Sequence, residues 1–168
     1  MTEEHDDAEL ARQIIANSFY TTTATCDLDG NPWIAPTMFW MDDQLGFFFV
    51  SAESSRHVQQ IQQNPKCAVS VYDSTQAEGT GRGVQFGAVA KILPEAEQAA
   101  AAAWLAKRRP SLDSPTFGAA TAARWRSNGR VVVQLLPSTP FFLNAWNGKV
   151  DTRQRVQITP PVALKPFA

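Results

Sequence analysis

The sequence predicts an α+β protein in which an antiparallel β-barrel or sandwich carries a few peripheral helices. Three observations point there. Eight short runs rich in β-branched and aromatic residues are spread between residues 19 and 158. Turn-forming sequences such as "DLDGNP" and "MDDQ" separate the first of these runs so closely that they read as hairpins. Helical segments are few and do not alternate with the strands, which excludes a doubly wound sheet. At 168 residues the chain reads as one domain, 1–168, able to bury its own core.

In chain order, "DDAELARQIIAN" (6–17) is an amphipathic helix with Asp6 or Asp7 as cap and Leu10, Ile14 and Ile15 on one face. "FYTTTATC" and "WIAPTMFW" form the first hairpin, and Pro36 cannot donate to a ladder, so it belongs at an edge or bulge. "LGFFFVS" is apolar on both faces and therefore central. "SAESSRHVQQIQQNP" (51–65) is a short helix with an apolar seam at Val58 and Ile61, closed by Asn64-Pro65. "KCAVSVYD" and "VQFGAVAKIL" are strands four and five, and Gly87 marks a bend or close approach. "PEAEQAAAAAWLAKRR" starts with Pro at its first helical position and is stopped by Pro110. Residues 111–129 are ambiguous and can hold a second capped helix. "RVVVQLL", "TPFFLNAW" and "TRQRVQI" are three more strands, the last two joined by Asn147-Gly148, and 159–168 is an extended tail.

Charge and composition exclude several function classes. A formal net charge of −1 offers no field for nucleic acid or an anionic membrane, and Lys107-Arg108-Arg109 suits a helix C-terminus. Cys26 and Cys67 read as buried free thiols in a reducing compartment, and two histidines, His5 and His57, make no zinc site. No apolar run reaches membrane-spanning length and the acidic start is unlike a signal peptide, so the expected location is the cytoplasm. "GTGRG" (79–83) lacks G-x-G-x-x-G spacing and leads into a strand, so it reads as a mobile loop, not a dinucleotide fingerprint.

The chemistry concentrates at Ser51, Ser54, Ser55, Arg56 and His57. Helix capping explains a serine there. A phosphate site uses the same geometry differently: free N–H groups, a positive dipole end, hydroxyls and a guanidinium fork converge on an anion. The aromatic residues Trp33, Phe39, Trp40, Phe47, Phe48 and Phe49 are mainly core, with room for one or two beside a ligand, while Trp104 and Trp125 are packing residues.

The ordered set of hairpin, third strand, S-x-x-S-S-R-H helix, "NPKCAVSVYD" and "GVQFGAVAKIL" resembles the FMN-binding split β-barrel family of pyridoxamine 5′-phosphate oxidase, from about Phe19 to Ile158. The resemblance implies a split barrel of six to eight antiparallel strands, Greek-key type, and a homodimer binding FMN at its interface. It implies that Ser55, Arg56 and His57 grip the flavin phosphate. It places Ala35, Pro36, Thr37, Met38 and Trp40 along the isoalloxazine, with Val50 and Ser51 touching the cofactor. Gln85 would face the ring, and Trp146 and Arg153 would come from the partner subunit. The departures matter: Ala35 and Trp40 stand where the oxidase has cationic residues, and His57 stands for its lysine. The expectation is therefore flavin-dependent redox of a small molecule other than vitamin B6, with no dedicated catalytic residue and with the substrate bounded by residues 74–83 and 110–129. A deazaflavin reductase and a non-enzymatic flavin-binding module are the alternatives, a cofactor-free interaction barrel is a further one, and haem is a thinner case.

Overall fold

The structure is a computed structural model and describes residues 3–108, 124–145 and 153–158. The elements in order are α1 (Glu3–Asn17), β1 (Tyr20–Cys26), β2 (Pro32–Met41), β3 (Phe47–Ala52), α2 (Arg56–Gln63), β4 (Lys66–Tyr72), β5 (Arg82–Ile92) and α3 (Glu95–Arg108). A helical turn at residues 124–127 follows, then β6 (Arg130–Pro137), β7 (Phe141–Ala145) and β8 (Arg153–Val156). The first helix begins at Glu3, earlier than the expected Asp6 or Asp7 cap. Strand β5 starts at Arg82, so Arg82 and Gly83 of "GTGRG" already belong to the ladder, with Gly83 opposite Tyr72. The Asn147-Gly148 turn, the 159–168 tail and most of the ambiguous 111–129 segment lie outside the described residues.

All pairings are antiparallel. The order β4-β1-β2-β3-β6-β5 closes through β4–β5 into a six-stranded barrel, from which β7 and β8 extend. Closure depends on β5 sharing one edge between two partners. Ala88–Ile92 pair with β6 and Arg82–Gln85 pair with β7. At the changeover Gly87 N–H donates to Thr139 Oγ1 at 2.7 Å, and the Gly87 carbonyl accepts from Ser138 N at 2.8 Å. A Cβ on Gly87 would sit 2.8 Å from Thr139 Cγ2, so the close approach anticipated for this glycine is real.

Alternation along each strand sends one set of side chains inward. Phe39, Met41, Phe47, Phe49, Val69, Val71, Val84, Phe86, Val133 and Leu135 fill the barrel. Phe47 is fully buried, its ring 5.5 Å from Phe39 and 4.9 Å from Phe86. Truncating such a residue costs about 3–5 kcal/mol. Helix α1 closes one mouth with Ala11, Ile14 and Ile15, and α2 closes the other with Val58 and Ile61. The outward residues Trp40, Phe48 and Val132 are covered by Ala102 and Leu105 of α3 and by Trp125. That second layer explains why "LGFFFVS" is apolar on both faces.

Candidate functional site

The strand register opens a seam where α2 begins. Strand β2 pairs with β3 only through Phe39, Trp40 and Met41; from Pro32 to Met38 its ladder partner is β1 alone. Strand β3 continues through Val50, Ser51 and Ala52, paired there with β6. The two strands therefore separate, and Pro36 occupies the stretch of β2 with a free edge, where a missing N–H costs nothing.

Helix α2 starts over that seam because Ser51–Ser55 turn back at the end of β3. Ser55 is the N-cap by position, but its side chain makes no capping bond. Its hydroxyl donates instead to the Ala52 carbonyl at 2.7 Å. The first bond of the helix runs from Gln59 N to Ser55 O, so the N–H groups of Arg56, His57 and Val58 precede the ladder without a capping side chain. Four groups cluster about this mouth. His57 Nε2 is 2.7 Å from Ser51 Oγ and 3.3 Å from Ser55 Oγ, while the two serine oxygens are 3.2 Å apart. The imidazole is half-buried, its ring centroid 5.9 Å from that of Phe49, and burial holds its pKa below the usual 6.5. The exposed Arg56 leans the other way, its guanidinium carbon 4.7 Å from the Trp33 ring centroid. Arg56 thus rests on β2 and His57 on β3, one on each side of the seam. Uncapped N–H groups, a dipole end and a guanidinium are the elements an anion site requires.

A buried polar lock holds the helix there. Thr25 on β1 donates to Gln60 Oε1 at 2.6 Å, and Gln60 Nε2 donates to the Asn31 carbonyl at 3.0 Å. Both Thr25 and Gln60 are buried.

The remaining expected residues fall into four groups. Ala35 and Thr37 are buried and face the barrel interior, where Thr37 Oγ1 lies 3.1 Å from Thr21 Oγ1. Pro36, Met38 and Trp40 take the outward face; Pro36 is exposed, Met38 is half-buried, and Trp40 is packed 6.3 Å, centroid to centroid, from Trp125. Val50 is half-buried against the same layer. The buried Trp40 Nε1–H has no hydrogen-bond partner among the described residues. Gln85 is half-buried on the outer face of β5, in the ladder between Ser70 and Phe142. In the six-strand cycle β5 lies opposite β2, so one chain does not bring Gln85 to the seam. Trp146 and the side chain of Arg153 lie outside the described residues.

Two contributions escaped the sequence reading. Trp33, assigned there to the core, is 42% exposed and carries Arg56. The Thr25–Gln60 lock was missed as well, although Gln60 lies between the apolar seam positions Val58 and Ile61. Elsewhere, a cavity of about 590 Å³ lies between the end of α1, the outer face of β1 and the loop after β4, lined by Tyr20, Pro36, Tyr72, Gln76 and Arg82 among others. Among the described residues no group of His, Cys, Asp and Glu could hold a metal, and no helix is long and apolar enough to cross a membrane. Cys26 and Cys67 are free and half-buried, and burial pushes the Cys67 thiol up to about 11.

The model of the pyridoxamine 5′-phosphate oxidase family matches residues 8–129. The chain belongs to that family. A comparison with curated proteins returns no match. Solved structures similar to this oxidase-family chain include the haem storage protein HutZ from Vibrio cholerae, at 19% identity and TM-score 0.65, covering 83% of this chain and 93% of that one. An F420 reductase is 23% identical with TM-score 0.56, over 77% and 94% of the two chains. A haem-binding protein from Mycobacterium smegmatis is 19% identical with TM-score 0.64; the match covers 89% of this chain but 57% of that one. At these identities the likeness is one of fold.

Proposed function

We propose that the protein is a flavin-dependent oxidoreductase that anchors FMN by its phosphate at the mouth of α2 and acts on a small molecule other than vitamin B6. The observation that carries this reading is the seam itself: Arg56 on the β2 side, Ser51 and His57 on the β3 side, and uncapped N–H groups between them. The residues fit the group. A phosphate supplies acceptors for the uncapped N–H groups and the exposed guanidinium, and Trp40 Nε1–H is a buried donor without an acceptor among the described residues, on the β2 face along which the family holds its flavin. When bound, the flavin supplies hydride or electron transfer. The chain's own residues fix the phosphate, bound the space beside Pro36 and exclude water through the apolar layer around Trp40. With Ala35 and Trp40 in place of two cations, little remains on β2 to hold the phosphate of a B6 vitamer. A deazaflavin coenzyme is the second reading, and it rests on the fold shared with the F420 reductase. The geometry does not favour haem, because His57 Nε2 is engaged with Ser51.

The reading includes a homodimer. The outer face of β2, β1, β4 and β5 carries Ile34, Ala24, Ala68 and Gly87 in one row and Pro36, Thr22, Ser70 and Gln85 in the next, without a charged side chain in either. Ile34 is 62% exposed. Obligate interfaces bury roughly 2,000 Å² or more of such surface, and a second copy is what would bring a Gln85 to this chain's β2. A monomer in light scattering, with flavin bound, would refute the dimer.

Titrating FMN and riboflavin against the parent and Arg56→Ala tests the anchor. A charge-assisted hydrogen bond is worth about 1.5–3 kcal/mol, so FMN affinity should fall roughly ten- to a hundredfold. Riboflavin, which lacks the phosphate, should bind both proteins alike. Equal FMN affinity would return Ser55-Arg56-His57 to an ordinary helix start. The absorption spectrum and the mass of what denaturation releases separate flavin from deazaflavin. Oxidation of reduced nicotinamide by the FMN-loaded protein separates an enzyme from a storage module.

A further inference from the structure

We propose that His57 makes the grip on an anion at the α2 mouth proton-operated: the imidazole takes up one proton when the anion binds, so affinity at this site depends on pH. The inference rests on the phosphate-anchor reading and adds a regulation to it. A lysine at this position would be charged whether or not the site is filled, whereas a histidine titrates near neutrality.

The hydrogen-bond geometry supplies the coupling. Ser55 Oγ spends its proton on the Ala52 carbonyl, so Ser55 has none to offer an anion. Ser51 Oγ, 2.7 Å from His57 Nε2, can give its proton to a neutral Nε2. Once the imidazole is protonated, Nε2–H must donate, Ser51 Oγ becomes its acceptor, and the Ser51 proton is freed for Ser55 Oγ, 3.2 Å away, or for an arriving anion. One proton therefore adds a positive charge and frees a hydroxyl donor at the helix mouth.

The charged groups on the surrounding elements do not replace this. Glu53, in the turn before α2, accepts from Gln62. Arg56 stacks on Trp33 of β2, within reach of Asp27 beyond β1. Arg130 of β6 pairs across the ladder with Ala52, and Lys66 opens β4 past the far end of α2. Burial is what lowers the His57 pKa. The free site therefore rests with a neutral imidazole at pH 7, and an arriving dianion favours the charged form.

Sulfate is the first probe, because it stays dianionic across the range in which histidine titrates; FMN is the second. Isothermal titrations at pH 6 to 9, in buffers of different ionisation heat, count the protons taken up. For the parent, sulfate affinity should fall by up to about tenfold per pH unit above the pKa of the free imidazole, then level off above that of the bound form. Uptake should approach one proton per site between those two values. His57→Gln should bind weakly and independently of pH; His57→Lys should bind tightly and with a flat profile. With two histidines in the chain, His57→Gln also assigns the imidazole resonances, and sulfate should move the His57 midpoint upward. Sulfate and FMN binding that Arg56→Ala weakens, but without proton uptake and with the pH profile of His57→Gln, overturns the proposal and leaves the phosphate anchor standing. Failure of both probes to bind the parent overturns the two together.

Discussion

Replacing Gln60 with Leu tests the lock that sets α2 over the seam. The side chains are similar in volume, but Leu loses the bond from Thr25 Oγ1 at 2.6 Å and the bond to the Asn31 carbonyl at 3.0 Å. Asn31 is exposed, so its carbonyl can turn to water. Thr25 is 3% exposed and cannot. An orphaned buried hydroxyl costs about 1–3 kcal/mol, so Gln60→Leu should destabilise the fold by about 2 kcal/mol. Thr25→Val, which strands Gln60 Oε1 instead, should cost about 1–2 kcal/mol by the same argument. The double variant Thr25→Val/Gln60→Leu removes both partners and leaves an apolar contact, so it should be more stable than the sum of the two single losses by about 1–2 kcal/mol. Urea denaturation followed by circular dichroism measures this, provided the slope m is unchanged across the four proteins. Additive losses would show that the two side chains do not act as a pair, and the account of what holds the helix mouth would fall.

Gly87→Ala should destabilise by about 1–3 kcal/mol through its clash with Thr139 Cγ2; adding Thr139→Ser, which removes that methyl and keeps the hydroxyl on Gly87 N, should restore part of the loss in thermal melts. Trp33→Ala removes the platform under Arg56, and an exposed cation–π contact of about 0.5–1 kcal/mol converts to a roughly two- to fivefold loss of FMN affinity with little change in stability; unchanged FMN affinity with a lowered melting temperature would make Trp33 a packing residue. The pKa of His57 is depressed in the folded state, so the unfolded chain binds the extra proton first: stability of the cofactor-free protein is complete above about 6.5 and declines as pH falls through the unfolded value toward the folded one. His57→Gln should flatten that decline in denaturation midpoints from pH 8 to 5. Cys67, half-buried and with a raised pKa, should be alkylated slowly at pH 8 in the native protein and react fully in urea, which peptide mass mapping would show.

Much of the fold was legible because strand periodicity and turn chemistry are local. "TTTAT" against "WIAPTMFW" gives a hairpin from β-branching and an Asp-Gly turn, and "LGFFFVS" declares itself central because both of its faces need cover. Gly87 could be marked as special, but not why: its partner Thr139 is 52 residues away. The residues of the proposed anion site could be grouped for the same local reason, since Ser51, Ser55, Arg56 and His57 fall within one strand end and one helical turn. Their division of labour was not legible. Which side of a seam a residue takes depends on where β2 leaves β3, and that register is set by pairings across the whole barrel. Trp33 illustrates the limit: its composition says core, yet it lies at the opened end of β2, where the ladder to β3 is already lost, and the exposed ring meets a guanidinium. Thr25 and Gln60 illustrate the other half, as two polar residues that look like surface until the barrel closes and leaves each the other's partner. Sequence by itself therefore determined the strands, the helix starts and the chemical types at the site, because nearest-neighbour backbone preferences decide them. Tertiary structure decided which of those residues meet, because barrel closure and the β2–β3 seam are long-range properties that no single segment encodes.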